Sequence, residues 1–479
     1  MIKIRKVNEV YIQIKLNDLG IAQELSDYFT YMVPGYQYMP AYKNKIWDGK
    51  IRLYNITNSS IYAGLAKYVE LFCKERGYPY EYEYDNSINE VPREEIEEFI
   101  KSHKFKLKPR DYQIKAFVDA IRFSRSLFLS PTASGKSFIM YMIMRYYLLP
   151  TLIVVPTTTL IHQMFSDFES YGFNSKKYIH KIYAGQEKET DKPIVVTTWQ
   201  SIYKLKKSWF DRYEVVFGDE AHLFKAKSLS SIMSKMTDCK YRFGFTGTLD
   251  GTQTHKLVLE GLFGPVNNVT TTKELMEQKH LSDFKISIIR LSYSDEVKQV
   301  VSMMKYQDEM DYIVTHDARN NFIKKLALSL EGNTLLLFQY VDKHGQLLYN
   351  RIQDENSERK VYFIHGGVKG EDRDEIRYMV ENENDSIIVA SYGTFSTGIN
   401  IRNLHNIIFA SPSKSRIRNL QSIGRALRKG NNKTEATLYD IADDFSTNTQ
   451  MNFTMRHLLE RIKTYKSEKF DFKSYSVEI

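Results

Sequence analysis

Short apolar runs alternate with helical stretches over most of the chain, and the alternation occurs in two successive series. Continuously apolar runs fit parallel strands that are covered by helices on both faces. The pattern therefore predicts two tandem α/β domains, over residues 106–281 and 282–450. The predicted strands are 126–129, 151–155, 194–198 and 215–217 in the first domain and 286–291, 334–338, 361–364, 387–390 and 407–410 in the second.

The residues before and after these two series follow other patterns. Residues 1–105 combine short strand-like runs with amphipathic stretches, which predicts a small α+β domain. Its predicted strands are 10–16, 50–54 and 80–84, and its predicted helices are 18–31 and 61–76. Residues 451–479 form a fourth segment, in which Leu458, Leu459, Ile462 and Tyr465 recur at helical spacing between basic residues. A basic amphipathic helix is predicted there.

Composition narrows the class of protein. The 479 residues include 67 Lys plus Arg and 58 Asp plus Glu, and the net charge of +9 suits a polyanionic partner. The fractions of 42% hydrophobic and 26% charged residues exclude wholesale disorder. Cys73 and Cys239 are too few for a disulfide framework or a zinc site, and no apolar stretch reaches the length of a membrane helix. We therefore expect a soluble, cytoplasmic protein, which we take to be a monomer.

A phosphate-binding loop is the strongest chemical signal. The loop follows a predicted strand and precedes a predicted helix, which is the context such loops require. Its backbone N–H groups would converge on phosphates, Lys136 would meet the β and γ phosphates, and Ser137 would bind Mg²⁺. ATP and Mg²⁺ are therefore the expected cofactors. Ser130 stands where the first glycine is usual, so a simple turn without nucleotide is the alternative. The loop residues are Ser130, Pro131, Thr132, Ala133, Ser134, Gly135, Lys136 and Ser137.

Two further sequence features fit the same nucleotide. Asp219 and Glu220 follow the predicted strand 215–217, so they would lie at a strand end beside the phosphates. Asp219 could hold the Mg²⁺ water shell, and Glu220 could polarise the attacking water. Gln113 precedes the first helix of the domain, and its amide can both donate to and accept from an adenine edge. An isolated acidic pair or glutamine would otherwise belong to an ordinary exposed turn.

In their order and spacing, these motifs resemble those of superfamily-2 helicases of the DEAD/DEAH-like type. The resemblance implies two RecA-like domains, adenine contact by Gln113, and coupling of hydrolysis to movement by 246–248. It also implies that arginines of the segment 421–428, Arg425 and Arg428, reach the nucleotide across a cleft as arginine fingers. Gly398 is expected to contact ATP. The alternatives are a strand-end turn at 246–248 and a basic surface helix at 421–428.

Nucleic-acid contacts are expected in two places. The resemblance assigns the first place to strand ends of the two helicase domains, whose polar groups hold phosphates without reading sequence. The second place is residues 36–52, called here the 36–52 segment, where aromatic residues interleave with cations. The alternative is that half of these aromatics belong to the core. The expected contacts are Thr157, Thr198, Gln200, Gln339, 365–367 and Thr397 at strand ends, and Tyr36, Tyr38, Tyr42, Lys43, Lys45, Trp47, Lys50 and Arg52 in the segment.

Two features are similar to those of the recombination helicases of tailed bacteriophages: the order of a small domain before two motor domains, and the sequence motif at residues 47–53. This likeness spans nearly the full chain. It implies an ATP-dependent DNA helicase that acts in the host cytoplasm and remodels forks, Holliday junctions and R-loops. The implied processes are recombination, repair and replication. The implied partners are single- and double-stranded DNA, and RNA within R-loops. Without the resemblance, the residues themselves indicate only a nucleic-acid-stimulated ATPase. An RNA helicase, a restriction-enzyme motor subunit and an ATP-switched scaffold stay open as alternatives.

Overall fold

The computed structural model describes residues 1–103, 105–223, 226–249, 251–355, 358–368, 370–398, 401, 403–413, 415, 420, 422–424, 427, 433 and 435–479. Two compact units are present. The first contains residues 1–130 and 135–270, and the second contains residues 131–134 and 271–479.

The first unit begins with the small α+β domain. Its four-stranded sheet has the order β5-β2-β1-β6, and β3 pairs with β4 in a separate antiparallel ribbon. The strands at 2–6, 30–32 and 60–62 were not predicted. The predicted helix 18–31 ends at Tyr28, and the predicted helix 61–76 begins at Ala66. The strands are β1 Ile2–Lys6, β2 Tyr11–Lys15, β3 Thr30–Met32, β4 Lys50–Arg52, β5 Ser60–Tyr62 and β6 Tyr80–Tyr82, and the helices are Leu19–Tyr28, Pro40–Lys43, Ala66–Arg76 and Arg93–His103, with 3-10 turns at Tyr36–Tyr38 and Ala63–Leu65.

A seven-stranded sheet follows, in the order β13-β7-β12-β11-β8-β10-β9, and all of its neighbouring strands are parallel. The four predicted strands of this domain are confirmed. Its strands are β7 Arg125–Leu129, β8 Thr151–Val155, β9 Ile179–Ile182, β10 Ile194–Thr198, β11 Val215–Gly218, β12 Tyr241–Thr246 and β13 Val266–Asn268. Its helices are Asp111–Phe123, Lys136–Tyr147, Thr158–Ser170, Ser175–Tyr178, Trp199–Ile202, Lys207–Phe210, Ala226–Met233 and Gln253–Phe263, with a 3-10 turn at Ala221–Leu223.

The small domain and this sheet share one hydrophobic cluster. The cluster runs from Ile4 and Phe72 of the small domain to Leu127 and Phe263 beside the sheet. A polar contact reinforces it, because the Tyr68 hydroxyl donates to Glu260 Oε2 at 2.7 Å. The small domain is therefore fixed to the Gln253–Phe263 helix of the first helicase domain.

The second unit contains another seven-stranded parallel sheet, in the order β16-β17-β15-β18-β19-β14-β20. All five predicted strands are confirmed within one to three residues at their ends. The strands are β14 Asp283–Ser292, β15 Thr334–Phe338, β16 Lys360–Ile364, β17 Ser386–Ser391, β18 Asn406–Phe409, β19 Glu435–Asp444 and β20 Phe472–Glu478. The helices are Thr272–Glu277, Asp295–Ser302, Tyr306–Thr315, Asp317–Ser329, Gln346–Glu355, Gly370–Asn382, Tyr392–Gly398 and Phe453–Ser467, with a π turn at Val341–Gly345.

The end of the chain is built into this second sheet. The predicted basic helix spans Phe453–Ser467, but the chain then continues into β20, which pairs with β14. Arg461 is buried and donates from Nε to Asp440 Oδ2 at 2.9 Å. This part of the segment is therefore held by a buried ion pair and a strand, so Arg461 is not available on a basic surface.

Candidate nucleotide and nucleic-acid sites

The sequence motifs of the first helicase domain meet at one edge of its sheet. In a parallel sheet every strand presents its carboxyl end at the same edge, where ligands bind. The phosphate-binding loop follows β7, β12 ends at Thr246 so that 247–248 follow it, and Asp219 follows β11. The sheet order places β12 between β7 and β11, and the Ser130 N–H donates to the Thr246 carbonyl at 2.9 Å. The three motifs are therefore neighbours in space.

The phosphate-binding loop has the backbone of an anion cradle. Ala133 and Gly135 have φ angles of 68° and 82°, which lie in the left-handed region. Glycine adopts the left-handed φ at position 135 without strain, and a side chain there would also displace Gln113, because its Cβ would lie 2.4 Å from Gln113 Nε2. Ser134 closes the turn by donating from Oγ to the Pro131 carbonyl at 2.7 Å. The helix Lys136–Tyr147 begins directly after the turn and adds the positive end of its dipole.

Lys136, at the start of the helix that follows the loop, forms an ion pair with Glu220. Lys136 Nζ lies 3.1 Å from Glu220 Oε1, and both side chains are largely shielded from solvent. Glu220 adopts a left-handed φ of 48°, an uncommon conformation for a residue without a turn-forming side chain. The phosphate-reading cation and the expected water-activating carboxylate are thus brought together, although they lie 84 residues apart in the sequence.

Asp219 is buried beside this pair. Its pKa is raised to about 7, first by burial and then by the negative charge of Glu220, while the charge of Lys136 opposes both effects. Its Oδ1 accepts from the Glu220 N–H at 2.9 Å. A buried carboxylate whose pKa is strongly raised by burial and a neighbouring charge marks a candidate functional site. The side chain therefore fits a metal-binding role.

The residues present fit Mg²⁺ with a nucleotide. Mg²⁺ prefers oxygen ligands and is usually held by one or two carboxylates together with substrate phosphates and water. The Ser137 hydroxyl and the Asp219 carboxylate supply such oxygens. Within the described part of the chain, no group of three or more His, Cys, Asp or Glu side chains could hold a metal ion by itself. A metal bound here would therefore rely on phosphate oxygens.

Gln113 lies close to Gly135, the glycine before the Lys136–Tyr147 helix. Its buried side chain approaches Gly135, and its Oε1 accepts from the Arg110 N–H at 3.0 Å in a capping box that begins the helix Asp111–Phe123. The predicted placement beside the nucleotide loop therefore fits the geometry. Adenine recognition by this amide stays a prediction.

Two contacts were not foreseen from the sequence. His222 is buried, and its Nδ1 lies 2.5 Å from Thr246 Oγ1, which joins the acidic motif to 246–248. The Tyr171 hydroxyl lies 2.8 Å from Ser137 Oγ. Neither contact follows a local pattern, because each joins residues from different strands or helices.

The expected nucleic-acid residues of the first domain also lie at the carboxyl edge. Thr157 follows β8 and caps the helix Thr158–Ser170, with Oγ1 accepting from the Leu160 N–H at 3.4 Å. Thr198 ends the adjacent β10, and Gln200 donates to the Pro156 carbonyl at 3.4 Å. The polar residues after β8 and those at the end of β10 therefore lie side by side along the carboxyl edge of the sheet.

The second domain repeats this arrangement. Gln339 follows β15 and 365–367 follow β16, while Thr397 and Gly398 end the helix after β17. The Gln339 N–H donates to Ser411 Oγ at 3.1 Å, which fixes the end of β15. Arg425 and Arg428 lie outside the described residues, so their predicted role as arginine fingers stays a prediction.

The 36–52 segment is largely exposed and contains the 3-10 turn Tyr36–Tyr38, the short helix Pro40–Lys43 and strand β4. It lines an open pocket of about 770 Å³ that includes Tyr42, Lys43, Lys45 and Trp47. Trp47 is fixed in place because its Nε1–H donates to the Lys50 carbonyl at 2.8 Å.

Arg52, by contrast, is already paired. Its guanidinium binds Asp48, with distances of 2.5 Å from Nη2 to Oδ2 and 3.3 Å from Nη1 to Oδ1. This pairing, together with the Lys50 N–H, lowers the pKa of Asp48 to about 2. Lys43, Lys45 and Lys50 are therefore better placed than Arg52 to meet phosphates.

Three family models match the chain. Residues 2–83 match "DNA helicase UvsW, N-terminal", residues 106–251 match "Type III restriction enzyme, res subunit", and residues 317–430 match "Helicase conserved C-terminal domain". The ATP-dependent DNA helicase uvsW of Enterobacteria phage T4 is 36% identical over 485 residues, covering 95% of each chain. The crystal structure of T4 UvsW matches with a TM-score of 0.52 and 33% identity, over 100% of this chain and 99% of that one.

A more distant relative matches in part. The DNA 3'-5' translocase XPB2 of Sulfurisphaera tokodaii is 28% identical over 196 residues, which cover 41% of this chain and 43% of that protein. Together with the fold and the site, the full-length match shows that the chain belongs to the UvsW family of ATP-dependent DNA helicases. The predicted superfamily and the predicted fold, two parallel α/β domains after a small α+β domain, are confirmed. Among the described residues, no helix is both long and apolar enough to cross a membrane.

Proposed function

We propose that this protein is a Mg²⁺- and ATP-dependent DNA motor that unwinds and remodels branched DNA, namely forks, Holliday junctions and R-loops, in phage recombination, repair and replication. The proposed setting is the cytoplasm of the host cell, with the protein acting as a monomer. The observation that carries the proposal is the Lys136–Glu220 pair beside buried Asp219, with Lys136 at the start of the helix that follows a phosphate-binding loop, in a chain similar to UvsW over its whole length.

The geometry supports a division of roles in ATP hydrolysis. Lys136 would leave Glu220 and turn to the β and γ phosphates, because a phosphate is a more highly charged partner than one carboxylate. Glu220, released from the ion pair, would accept a proton from the attacking water. Bound Mg²⁺ would neutralise charge on the phosphates. Arg425 and Arg428 are proposed to complete the site as arginine fingers.

The contact between His222 and Thr246 supports coupling within the first domain. A change at the acidic motif would be felt at 246–248 through this 2.5 Å contact. Residues 246–248 are followed by Thr252, which caps the Gln253–Phe263 helix, and that helix carries the small domain through Glu260. The geometry thus supports a small domain that moves together with the first helicase domain.

DNA binding is proposed on two surfaces. The strand-end residues, including Thr157, Thr198, Gln200 and Thr397, would hold a strand by its phosphates, since they offer hydroxyl and amide groups that do not read sequence. The 36–52 segment would select branched DNA. Its pocket combines the Trp47 and Tyr42 rings with the cations Lys43 and Lys45, which suits stacking and phosphate contact together.

One alternative has a specific observation in its favour. Residues 106–251 match a family described as the res subunit of type III restriction enzymes, which supports a motor subunit of such an enzyme. The match of residues 2–83 to the UvsW N-terminal family favours the DNA-remodelling function instead.

The test is ATP hydrolysis by the full chain with forked DNA, blunt duplex DNA, single-stranded DNA, RNA of equal length and no nucleic acid. The proposal expects strong stimulation by DNA, largest for the fork. Equal or greater stimulation by RNA would favour an RNA helicase, and equal stimulation by blunt duplex and fork would remove the branch preference. An ATP hydrolysis rate that no nucleic acid changes would contradict the proposal that the protein is a nucleic-acid motor.

A further inference from the structure

Tyr171 contacts the magnesium-binding serine of the phosphate-binding loop from outside the recognised motifs. It follows the helix Thr158–Ser170, and its N–H donates to the Asp167 carbonyl at 3.0 Å. Its hydroxyl lies 2.8 Å from Ser137 Oγ, across 34 residues of sequence. No other proposed role in nucleotide binding uses Tyr171.

The ring of Tyr171 is held in place by a cluster of aromatic residues. Phe138 meets it edge to face at 5.0 Å between centroids, Tyr141 lies at 5.4 Å and Phe168 at 6.3 Å. A tyrosine phenol has an ordinary pKa of about 10, so it is protonated at neutral pH. The phenol oxygen is therefore presented to Ser137 as a neutral hydroxyl in a fixed position.

A serine hydroxyl has one proton and two lone pairs. When its oxygen ligates a cation, the proton has to point away from the cation, and a neighbouring acceptor fixes that orientation. Groups that orient metal ligands in this way strongly affect metal affinity.

We propose that Tyr171 is a positioning residue for Mg²⁺: its phenol oxygen accepts the Ser137 proton and turns a Ser137 lone pair toward the cation. The inference rests on the proposed nucleotide-binding function. The competing explanation is that Tyr171 only fills the aromatic cluster, in which case its hydroxyl has no effect on Mg²⁺.

The Tyr171→Phe variant separates these explanations, because it keeps the ring and removes only the hydroxyl. The matched control is Tyr141→Phe. It removes a hydroxyl from the same aromatic cluster, but this hydroxyl interacts with Arg145. Binding of a fluorescent ATP analogue to the full chain would be titrated with Mg²⁺. Melting temperature and binding of the analogue in EDTA would report on folding.

The expected result for Tyr171→Phe is a rise of about tenfold in the Mg²⁺ concentration at half-saturation. Binding in EDTA should change less than twofold, and Tyr141→Phe should match wild type throughout. In a Ser137→Ala background, Tyr171→Phe should have no further effect, because its target is gone.

Three results would overturn the inference. The first is an unchanged Mg²⁺ requirement in Tyr171→Phe, and the second is an equal rise for Tyr141→Phe. The third is a rise that persists undiminished in the Ser137→Ala background. If the wild-type chain binds the analogue without any Mg²⁺ dependence, both the inference and the magnesium part of the proposed function are wrong. If only the Tyr171→Phe variant lacks the expected effect, the inference is wrong and the proposed function is unaffected.

Discussion

The nucleotide site and the 36–52 segment are both rich in charge, but they are built in opposite ways. The nucleotide site brings together residues from three strand ends, and its charges are shielded from water. The 36–52 segment is made from neighbours in sequence, and the Asp48–Arg52 pair within it is about half exposed. The topology of a parallel sheet therefore creates the first site, whereas the second is formed by short elements that are close in sequence, namely a 3-10 turn, the helix Pro40–Lys43 and β4.

This difference predicts different energetics. Charges that are shielded from solvent interact strongly and perturb one another, as the raised pKa of Asp219 shows. Exposed charges are screened by water and salt, so each contributes little and several must act together. We therefore expect single substitutions to disable the nucleotide site, and only combined substitutions to disable the 36–52 segment.

Lys136→Ala gives the largest expected effect. It removes the cation for the β and γ phosphates, so ATP turnover should fall by about 10² or more. The control is Lys188→Ala, an exposed lysine of the same domain, which should match wild type. DNA-stimulated ATPase assays provide the measurement, and turnover above about a tenth of wild type would remove Lys136 from the site.

Glu220→Gln should separate binding from hydrolysis. The amide has the same shape but cannot accept the proton of water, so turnover should fall by about 10² or more while ATP still binds. Glu214→Gln, at the opposite end of β11, is the matched control. If the Glu220 variant hydrolyses ATP normally, the acidic motif is only structural.

Asp219→Asn should stabilise the nucleotide-free protein at high pH. The folded state holds the Asp219 proton up to a pKa of about 7, whereas the unfolded state releases it near the ordinary value of 3.8. Stability therefore falls as the pH rises from about 4 to about 7, and the neutral amide avoids this loss. We expect a gain of up to about 4 kcal/mol at pH 8 and no gain near pH 4.

Denaturant unfolding at both pH values measures this effect. Asp48→Asn is the control, because Asp48 is exposed and its pKa is lowered to about 2. It should give no comparable gain at pH 8. Equal stability of Asp219→Asn and wild type at pH 8 would show that ionised Asp219 does not destabilise the folded protein.

Replacing Lys43, Lys45 and Lys50 together by Ala should weaken fork binding without reducing basal ATPase. The slope of log affinity against log salt should flatten by up to about 0.9 for each DNA phosphate that the variant no longer neutralises. A control with the same change in net charge replaces Lys6, Lys67 and Lys74, exposed lysines elsewhere in the small domain. If both triple variants behave alike, the effect is one of net charge only.

Asp48→Asn sharpens the comparison with the smallest expected effect. It releases Arg52 from its ion pair, so fork affinity should rise by a few fold at low salt. Adding Arg52→Ala should cancel the gain. Unchanged affinity in Asp48→Asn would show that Arg52 does not face the DNA even when it is unpaired.

The structural features that were predictable from sequence share one property. Strands such as Thr151–Val155 and Thr334–Phe338 are continuous apolar runs, and the loop ending at Ser137 has a fixed spacing after a strand. In both cases the signal is local. The placement of Asp219 and Glu220 at a strand end near the phosphate-binding loop was predicted as well, but the direct ion pair of Lys136 with Glu220 was not.

The features that were missed depend on long-range contacts. Arg461 resembles any helical surface arginine in the sequence, and only the fold places Asp440 against it. Tyr171 follows no motif, and its contact with Ser137 depends on how two helices pack. The shared cluster of the small domain and first sheet was likewise invisible, since the apolar residues of either side could have formed separate cores.

Strand separation on a forked DNA duplex tests most directly whether the chain is an ATP-driven DNA motor. The wild-type chain, Glu220→Gln and Glu214→Gln would be compared with ATP and Mg²⁺, with strand separation and ATP hydrolysis recorded in the same reaction. We predict that wild type and Glu214→Gln separate the strands only while ATP is hydrolysed, and that Glu220→Gln binds the fork and ATP but does neither. Strand separation by Glu220→Gln at the wild-type rate, or DNA-stimulated hydrolysis by wild type without any separation or remodelling of the fork, would contradict a motor driven by this site.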